Sequence, residues 1–230
     1  MKIYGELAEL VEGTFLLRKH AGQNLHQEFE SLAHRQIMID DIFVFDDVIS
    51  KDRQDEIESL MLGPGINWQF IPDVALPISE LKNSNKVPTP AMAVSFNDHK
   101  LKYFNQKLYT PTCGIAFNAA SKINFQINDI INSRSFLQFP LNDNIKKPYN
   151  NIHIDQTFEH LSCVYYVNDA DGDTVIFDGL YNKDEYLTEA KIIKRVAPKK
   201  GRCVIFNGLR YHASSSPSTG VRCIINFNII

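Results

Sequence analysis

The 230 residues carry 24 Lys plus Arg against 27 Asp plus Glu, a net charge of −3 with the seven His neutral, and 44% of them are hydrophobic. That balance excludes a disordered or collagen-like chain and provides no overall basic field for holding nucleic acid or an acidic membrane surface. The length suits one domain around one core. No apolar stretch approaches a membrane span and Met1 to Val11 holds no apolar leader core, so a cytoplasmic protein is expected.

Leu25, Phe29, Leu32 and Ala33 recur at helical spacing between Gly22 and Arg35, which predicts a short amphipathic helix inside an N-terminal extension over 1–36. His20, His26 and His34 have no carboxylate arranged around them and read as surface side chains. From 37 to 230 a single domain is expected, with helical support over 37–130 and a β core over 131–230. Ile42 to Phe45 reads as a strand. Ser50 can cap a helix carrying Ile57, Leu60 and Met61, which Gly63, Pro64 and Gly65 then stop. Trp68, Phe70 and Ile71 suggest another strand, Pro72 to Pro90 a loop, and Ile115, Ala119 and Ile123 a helix between Pro111 and Asn124.

The second half changes character. Ser133 to Phe139, Ile152 to Asp155, Leu161 to Val167, Thr174 to Phe177, Ile192 to Ala197, Cys203 to Phe206 and Val221 to Ile229 are short β-rich runs, separated by turn residues such as Asp171-Gly172 and Lys199-Lys200-Gly201. Short strands at regular intervals predict an α+β, mainly β fold: a jelly roll with the earlier helices packed on one sheet. Cys113, Cys163, Cys203 and Cys223 form no C-x-x-C pair and read as free thiols. Lys191, Lys194, Arg195, Lys199, Lys200 and Arg202 read as a solvated hairpin edge.

His153 and Asp155 stand two apart on a strand-like run, so their side chains leave the same face. His212, after the run Cys203 to Phe206 and at the opening of a Ser- and Pro-rich turn, is placed to be a third ligand. Two imidazoles and one carboxylate on one side of an octahedral ion leave the other side open, the arrangement suited to iron(II) that binds an organic co-substrate and dioxygen together. Arg222 lies ten positions after His212, across a turn expected from Ala213 to Gly220, and a hairpin there would return it to the level of the metal. On a strand with Cys223 and Ile225 facing the other way, Arg222 shares its side with Ile224, Asn226 and Asn228. A buried cation there calls for a carboxylate partner.

These residues resemble the pattern of the iron(II)/2-oxoglutarate-dependent oxygenases, in the prolyl 4-hydroxylase-like branch of small stand-alone bacterial or phage enzymes. Leu161 to Asn168 is similar to the family's strand after His-x-Asp, Asp171 to Phe177 to its Gly-Gly-x-Thr-like strand, and Pro198 to Phe206 to the segment before the second histidine. The resemblance covers residues 134 to 230. It implies a double-stranded β-helix, iron(II) on His153, Asp155 and His212, and 2-oxoglutarate anchored by Arg222 with Tyr165, Thr174 and Asn226 lining its pocket. It implies further that dioxygen is used to hydroxylate an unactivated carbon of a second substrate, a peptidyl residue such as proline, a free amino acid or a small metabolite, with succinate and CO2 as products. Tyr166 is expected in the core. Phe139 stands where relatives carry a tyrosine, and many prolyl hydroxylases have Lys where Arg222 stands. A nucleic-acid base oxygenase or demethylase, for which 191–202 is the only support, and a catalytically silent jelly-roll binding protein are the alternative readings.

Overall fold

A computed structural model describes residues 41–75, 87–143, 146–182 and 191–230. The helix expected within 22–35, the three histidines of that region, and parts of the loops around 72–90, 141–151 and 179–189 lie outside the described residues. Asp41–Ile230 forms one compact unit, built of two antiparallel sheets with two helices.

The chain runs β1 (Phe43–Phe45), α1 (Lys51–Leu62), β2 (Gln69–Ile71), β3 (Ala91–Asp98), β4 (Tyr103–Phe104), α2 (Gln106–Ser121), β5 (Ile130–Gln138), β6 (Leu161–Tyr166), β7 (Thr174–Leu180), β8 (Ile192–Val196), β9 (Cys203–Asn207), β10 (Arg210–Ser214) and β11 (Arg222–Ile229). The larger sheet has the order β1-β9-β6-β11-β5-β3-β2, with β4 hanging from β3, and the smaller one the order β10-β7-β8. Mainly antiparallel strands in two facing sheets are the jelly roll that the strand spacing predicted. Between the sheets, Val164, Tyr166, Val204, Phe206 and Ile224 of the larger sheet meet Ile176 and Val196 of the smaller. Alternation sends Cys163, Tyr165, Cys203, Ile205, Cys223, Ile225 and Phe227 to the opposite face, where all are buried. α2 lies against β3, β6 and β9.

Several elements differ from the sequence reading. α2 begins five residues before Pro111, which sits inside the helix; the proline lacks the N–H that would reach the Lys107 carbonyl, yet the helix runs on through it to Ser121. β3 was not legible because its run Ala-Met-Ala-Val-Ser-Phe alternates weakly. Ile152 to Asp155 is no strand; it makes a single antiparallel bridge, His153 to His212. His212 does not open a turn but sits in the middle of β10, and β10 and β11 belong to different sheets. The segment 215–221 is therefore a crossing from one sheet to the other, and the expected hairpin from Ala213 to Gly220 is absent.

All four cysteines are free, three of them buried. The basic stretch clamps the sheet edge to its surroundings: Lys199 and Arg202 bond Asp46 at 2.8 and 2.7 Å, and Lys200 bonds Asp55 at 2.6 Å and also Glu58. These contacts compete with any phosphate for the same cations. No described helix is long and apolar enough to cross a membrane.

Phe227 is fully buried on the helix-facing side of the central strand. Phe227→Ala is expected to cost about 3–5 kcal/mol through lost burial and the cavity left behind, read as a lowered midpoint in urea denaturation.

Candidate active site

The bridge between His153 and His212 is reciprocal: each backbone N–H donates to the other residue's carbonyl at 3.0 Å. Such a pair brings two side chains out on the same side of neighbouring strands, and the imidazole centroids lie 4.4 Å apart. Asp155, two residues on, brings its carboxylate to them. Ligand atoms of His153, Asp155 and His212 all fall within 4.8 Å of one another.

Each ring is oriented by its own backbone. His153 Nδ1 faces the Asn151 carbonyl at 3.1 Å and His212 Nδ1 the Arg210 carbonyl at 3.0 Å. A carbonyl only accepts, so each Nδ1 carries the proton and each Nε2 keeps its lone pair for a metal. Burial, with His212 beside it, brings the His153 pKa down to about 4, so its ring is neutral at pH 7. Burial alone would raise the Asp155 pKa, but Arg134, His212 and His153, with a hydrogen bond from Asn226, hold it well below the carboxylate range. Two imidazoles turned with Nε2 toward the cluster and one ionised carboxylate make the donor set a divalent transition metal requires.

Around Asp155 the polar contacts are tight. Arg134 Nη2 donates to Oδ1 at 2.8 Å and Asn226 Nδ2 to Oδ2 at 2.7 Å. The segment is anchored behind by Asn151 Nδ2, which donates to Asp73 Oδ2 at 2.9 Å; the same oxygen accepts the Thr89 N–H and hydroxyl at 2.9 and 3.0 Å. Asp73 thus fixes the residue whose carbonyl orients His153.

Arg222 lies at the other end of the same cavity, which holds about 450 Å³ of free space including its open mouth and is lined by His153, Asp155, His212, Thr174, Arg222 and Asn226 among others. Only 3% of Arg222 is exposed. Its Nε donates to the Gly172 carbonyl at 2.7 Å, Nη1 to Gln138 Oε1 at 2.7 Å and Nη2 to Thr174 Oγ1 at 2.9 Å. Every one of these partners is neutral, and among the described residues no carboxylate pairs with it. One N–H on each terminal nitrogen is left over, the pair a carboxylate takes bidentately. Burial lowers the Arg222 pKa, yet a guanidinium keeps its proton in a protein. Gly172 must be glycine: a Cβ there would lie 2.4 Å from the Ser215 carbonyl oxygen and 3.1 Å from Arg222 Cδ.

The larger sheet orders these groups in four cross-strand rows over β5, β11 and β6: Gln138–Arg222, then Phe136–Ile224–Tyr166, then Arg134–Asn226–Val164, then Asn132–Asn228–Ser162. Successive rows are about 7 Å apart. Thr174 and Asn226 line the cavity, whereas Tyr165 does not. Parity puts Tyr166 on the cavity side: its hydroxyl donates to Thr174 Oγ1 at 2.7 Å and the Arg222 guanidinium lies 5.7 Å from its ring centroid. Tyr165 thus lies on the other face of β6, away from the cavity it was expected to line, and Tyr166 stands in the core between the sheets, as expected. Phe139, 40% exposed, lies past the end of β5; the residue that meets Arg222 is Gln138. Sequence reasoning missed Gln138 and Arg134. Their signal is the alternation Arg134, Phe136, Gln138, which tells of a polar inner face only once β5 is paired with β11.

No protein-family model matches the sequence, and none of the curated proteins compared with it matches. Solved structures do. The non-haem α-ketoglutarate-dependent epimerase SnoN of nogalamycin biosynthesis is 13% identical, with 89% of this chain and 83% of that one covered at a TM-score of 0.56. An oxidoreductase of the 2OG-Fe(II) oxygenase family from Burkholderia pseudomallei is 9% identical over 82% and 84%, at 0.55. A Trichoplax adhaerens prolyl hydroxylase, solved with a hypoxia-inducible-factor peptide fragment, is 12% identical over 93% and 94%, at 0.50. The chain has the fold of the 2-oxoglutarate/iron(II) oxygenases, and the fold is shared alike by a relative acting on a peptide and one acting on a small molecule.

Because His153 is held neutral, the unfolded chain takes up a proton that the folded one does not as pH falls below the ordinary 6.5, until about 4 where the folded group titrates. Stability of the metal-free protein is therefore expected to fall with pH across that window, and His153→Gln to flatten the slope of the urea midpoint there. An unchanged slope would contradict the burial of a neutral ring.

Proposed function

We propose that this chain is an iron(II)- and 2-oxoglutarate-dependent oxygenase that hydroxylates an unactivated carbon of a second substrate. The observation that carries the reading is a cavity with two unlike ends: two imidazoles and a carboxylate at one, and at the other a buried guanidinium with no negative partner among the described residues.

A guanidinium buried among neutral groups costs several kcal/mol unless a counter-charge arrives. Arg222 would gain one from the distal carboxylate of 2-oxoglutarate, with Thr174 and Gln138 holding the guanidinium plane in place. Two rows, about 14 Å along the strand, separate Arg222 from Asn226. That is a span which the arginine side chain and a five-carbon dicarboxylate can cover together, leaving the keto-acid end at His153, Asp155 and His212. Phe136, Ile224 and Val164 line the stretch between and keep water from the co-substrate's methylenes.

His153, Asp155 and His212 would hold iron(II), which supplies dioxygen activation. In the overall reaction one oxygen atom enters the substrate C–H bond as a hydroxyl. The other enters succinate, while 2-oxoglutarate loses its C1 carboxylate as CO2. The part of Arg134 and Asn226 is to keep Asp155 ionised and aimed. Protons and the metal compete for the same ligand lone pairs, so metal affinity falls as the pH is lowered.

His153→Ala, Asp155→Ala and His212→Ala are each expected to abolish iron-dependent succinate formation. Arg222→Ala is expected to raise the KM for 2-oxoglutarate by roughly a hundredfold, the loss of a charge-assisted bidentate contact. Turnover of 2-oxoglutarate that survived all four changes would refute the reading.

A further inference from the structure

Asn226 lines the metal end of the cavity, and around and beyond it on the same sheet stands a set of buried polar side chains that the account so far leaves unused. Six buried side-chain atoms there have no hydrogen-bond partner among the described residues: Asn132 Oδ1, Arg134 Nε, Asn226 Oδ1, both amide atoms of Asn228, and His160 Nε2. All but His160, which precedes β6, belong to the inner face of the larger sheet. Asn226 stands directly across from Arg134, and Asn228 across from Asn132 and Ser162. Buried polar atoms are almost always satisfied, and each orphan costs about 1–3 kcal/mol, so five on one face of one sheet call for a partner.

Their polarity is fixed by the bonds they do make. Asn226 Nδ2 donates to Asp155 and Asn132 Nδ2 donates to Asp98 at 2.9 Å. A carboxylate only accepts, so each amide presents its oxygen as the orphan. His160 Nδ1 faces the Phe158 carbonyl at 2.8 Å, which leaves Nε2 a lone pair. The set therefore offers three acceptors on the sheet, Asn132 Oδ1, Asn226 Oδ1 and Asn228 Oδ1, against two donors, Arg134 Nε–H and the Asn228 amide, while His160 Nε2 abuts Gly208. Three acceptors suit an ammonium group, which brings three N–H donors. The guanidinium of Arg134, opposite Asn226, suits a carboxylate beside it.

We infer that the primary substrate is a free amino acid, its carboxylate taken by Arg134 and its ammonium group by the Asn226 and Asn228 amides, on the side of His153, Asp155 and His212 away from Arg222. The inference rests on the oxygenase reading. Burial favours a free molecule over a peptide. Asn228 is fully buried, Asn132 is 5% and His160 6% exposed, so the floor is closed and a chain that had to continue in both directions would have no second way out. The His160 ring closes that floor against Gly208, where a Cβ would stand 2.1 Å from His160 Nε2.

The test is calorimetry on the full chain loaded with Mn(II), which does not turn over. 2-Oxoglutarate is titrated first; failure to bind refutes the oxygenase reading itself, and this inference with it. The proteinogenic L-amino acids are then titrated singly into the Mn(II)/2-oxoglutarate complex, each beside its methyl ester and its N-acetyl derivative. Expected is binding of at least one free amino acid, weakened roughly tenfold or more by either block. With Arg134→Gln the free acid should lose its advantage over the ester, and with Asn228→Ala its advantage over the N-acetyl form. Because the blocked ligands are compared on the unaltered protein, the outcome does not depend on either variant folding. Binding of 2-oxoglutarate with no amino acid bound, or with blocked forms bound equally well, overturns the inference. So does an Arg134→Gln effect confined to 2-oxoglutarate, which would assign that guanidinium to the co-substrate.

Discussion

The site depends on one reciprocal pair of backbone hydrogen bonds, between His153 and His212. Residues 151–155 make no strand of their own; beside the pair, the Asn150 N–H on the Ser214 carbonyl at 2.7 Å ties the segment to the smaller sheet. Two N–H···O contacts set the lateral position of both rings. Bonds from each Nδ1 to a carbonyl two residues back set their rotation and their tautomer. Asp155 then arrives at the ligand cluster by chain geometry alone. Behind the pair, Asp73 gathers Asn151 and Thr89 at one carboxylate oxygen, so loop segments far apart in sequence converge on the residue that orients the first ligand.

From that fixed point the larger sheet provides distance. Strand pairing sets Arg222, Ile224, Asn226 and Asn228 at regular steps along one face, and each step has its own chemistry. The first is a buried cation, the second an apolar wall, the third a hydrogen bond to the metal carboxylate, the fourth an unsatisfied amide. The outer face of the same strands is occupied by Cys163, Tyr165, Cys203, Cys223, Ile225 and Phe227, whose burial under the helices gives the sheet its rigidity. Function and stability thus alternate residue by residue along β6 and β11. A slip of one residue in either strand would exchange them.

The sequence made the strand-rich second half, the jelly-roll class, α1 and the cluster of His153, Asp155 and His212 legible, because short β-runs between turn residues and the His-x-Asp spacing are local signals. What stayed hidden was non-local. Whether Tyr165 or Tyr166 faces inward depends on which neighbour β6 pairs with, and both are fully buried, so hydrophobicity does not separate them. The path of residues 215–221 between sheets reads locally as a hairpin turn, since Ser, Pro and Gly serve either purpose. Arg134 and Gln138 looked like ordinary polar positions of a strand until β11 was laid beside β5. Pro111 masked the first turn of α2 because a proline ordinarily marks a helix start or break, and here the helix begins five residues before it and passes through.

The central claim is that a metal sits between His153, Asp155 and His212 and that an anion bridges from it to Arg222. A crystal structure of the Mn(II)-loaded protein grown with 2-oxoglutarate under anaerobic conditions tests it most directly, through the anomalous signal of manganese. The account predicts one strong peak bonded to both Nε2 atoms and an Asp155 oxygen, with continuous density from it to the Arg222 guanidinium. A peak elsewhere, or density that leaves Arg222 without a carboxylate, would contradict it.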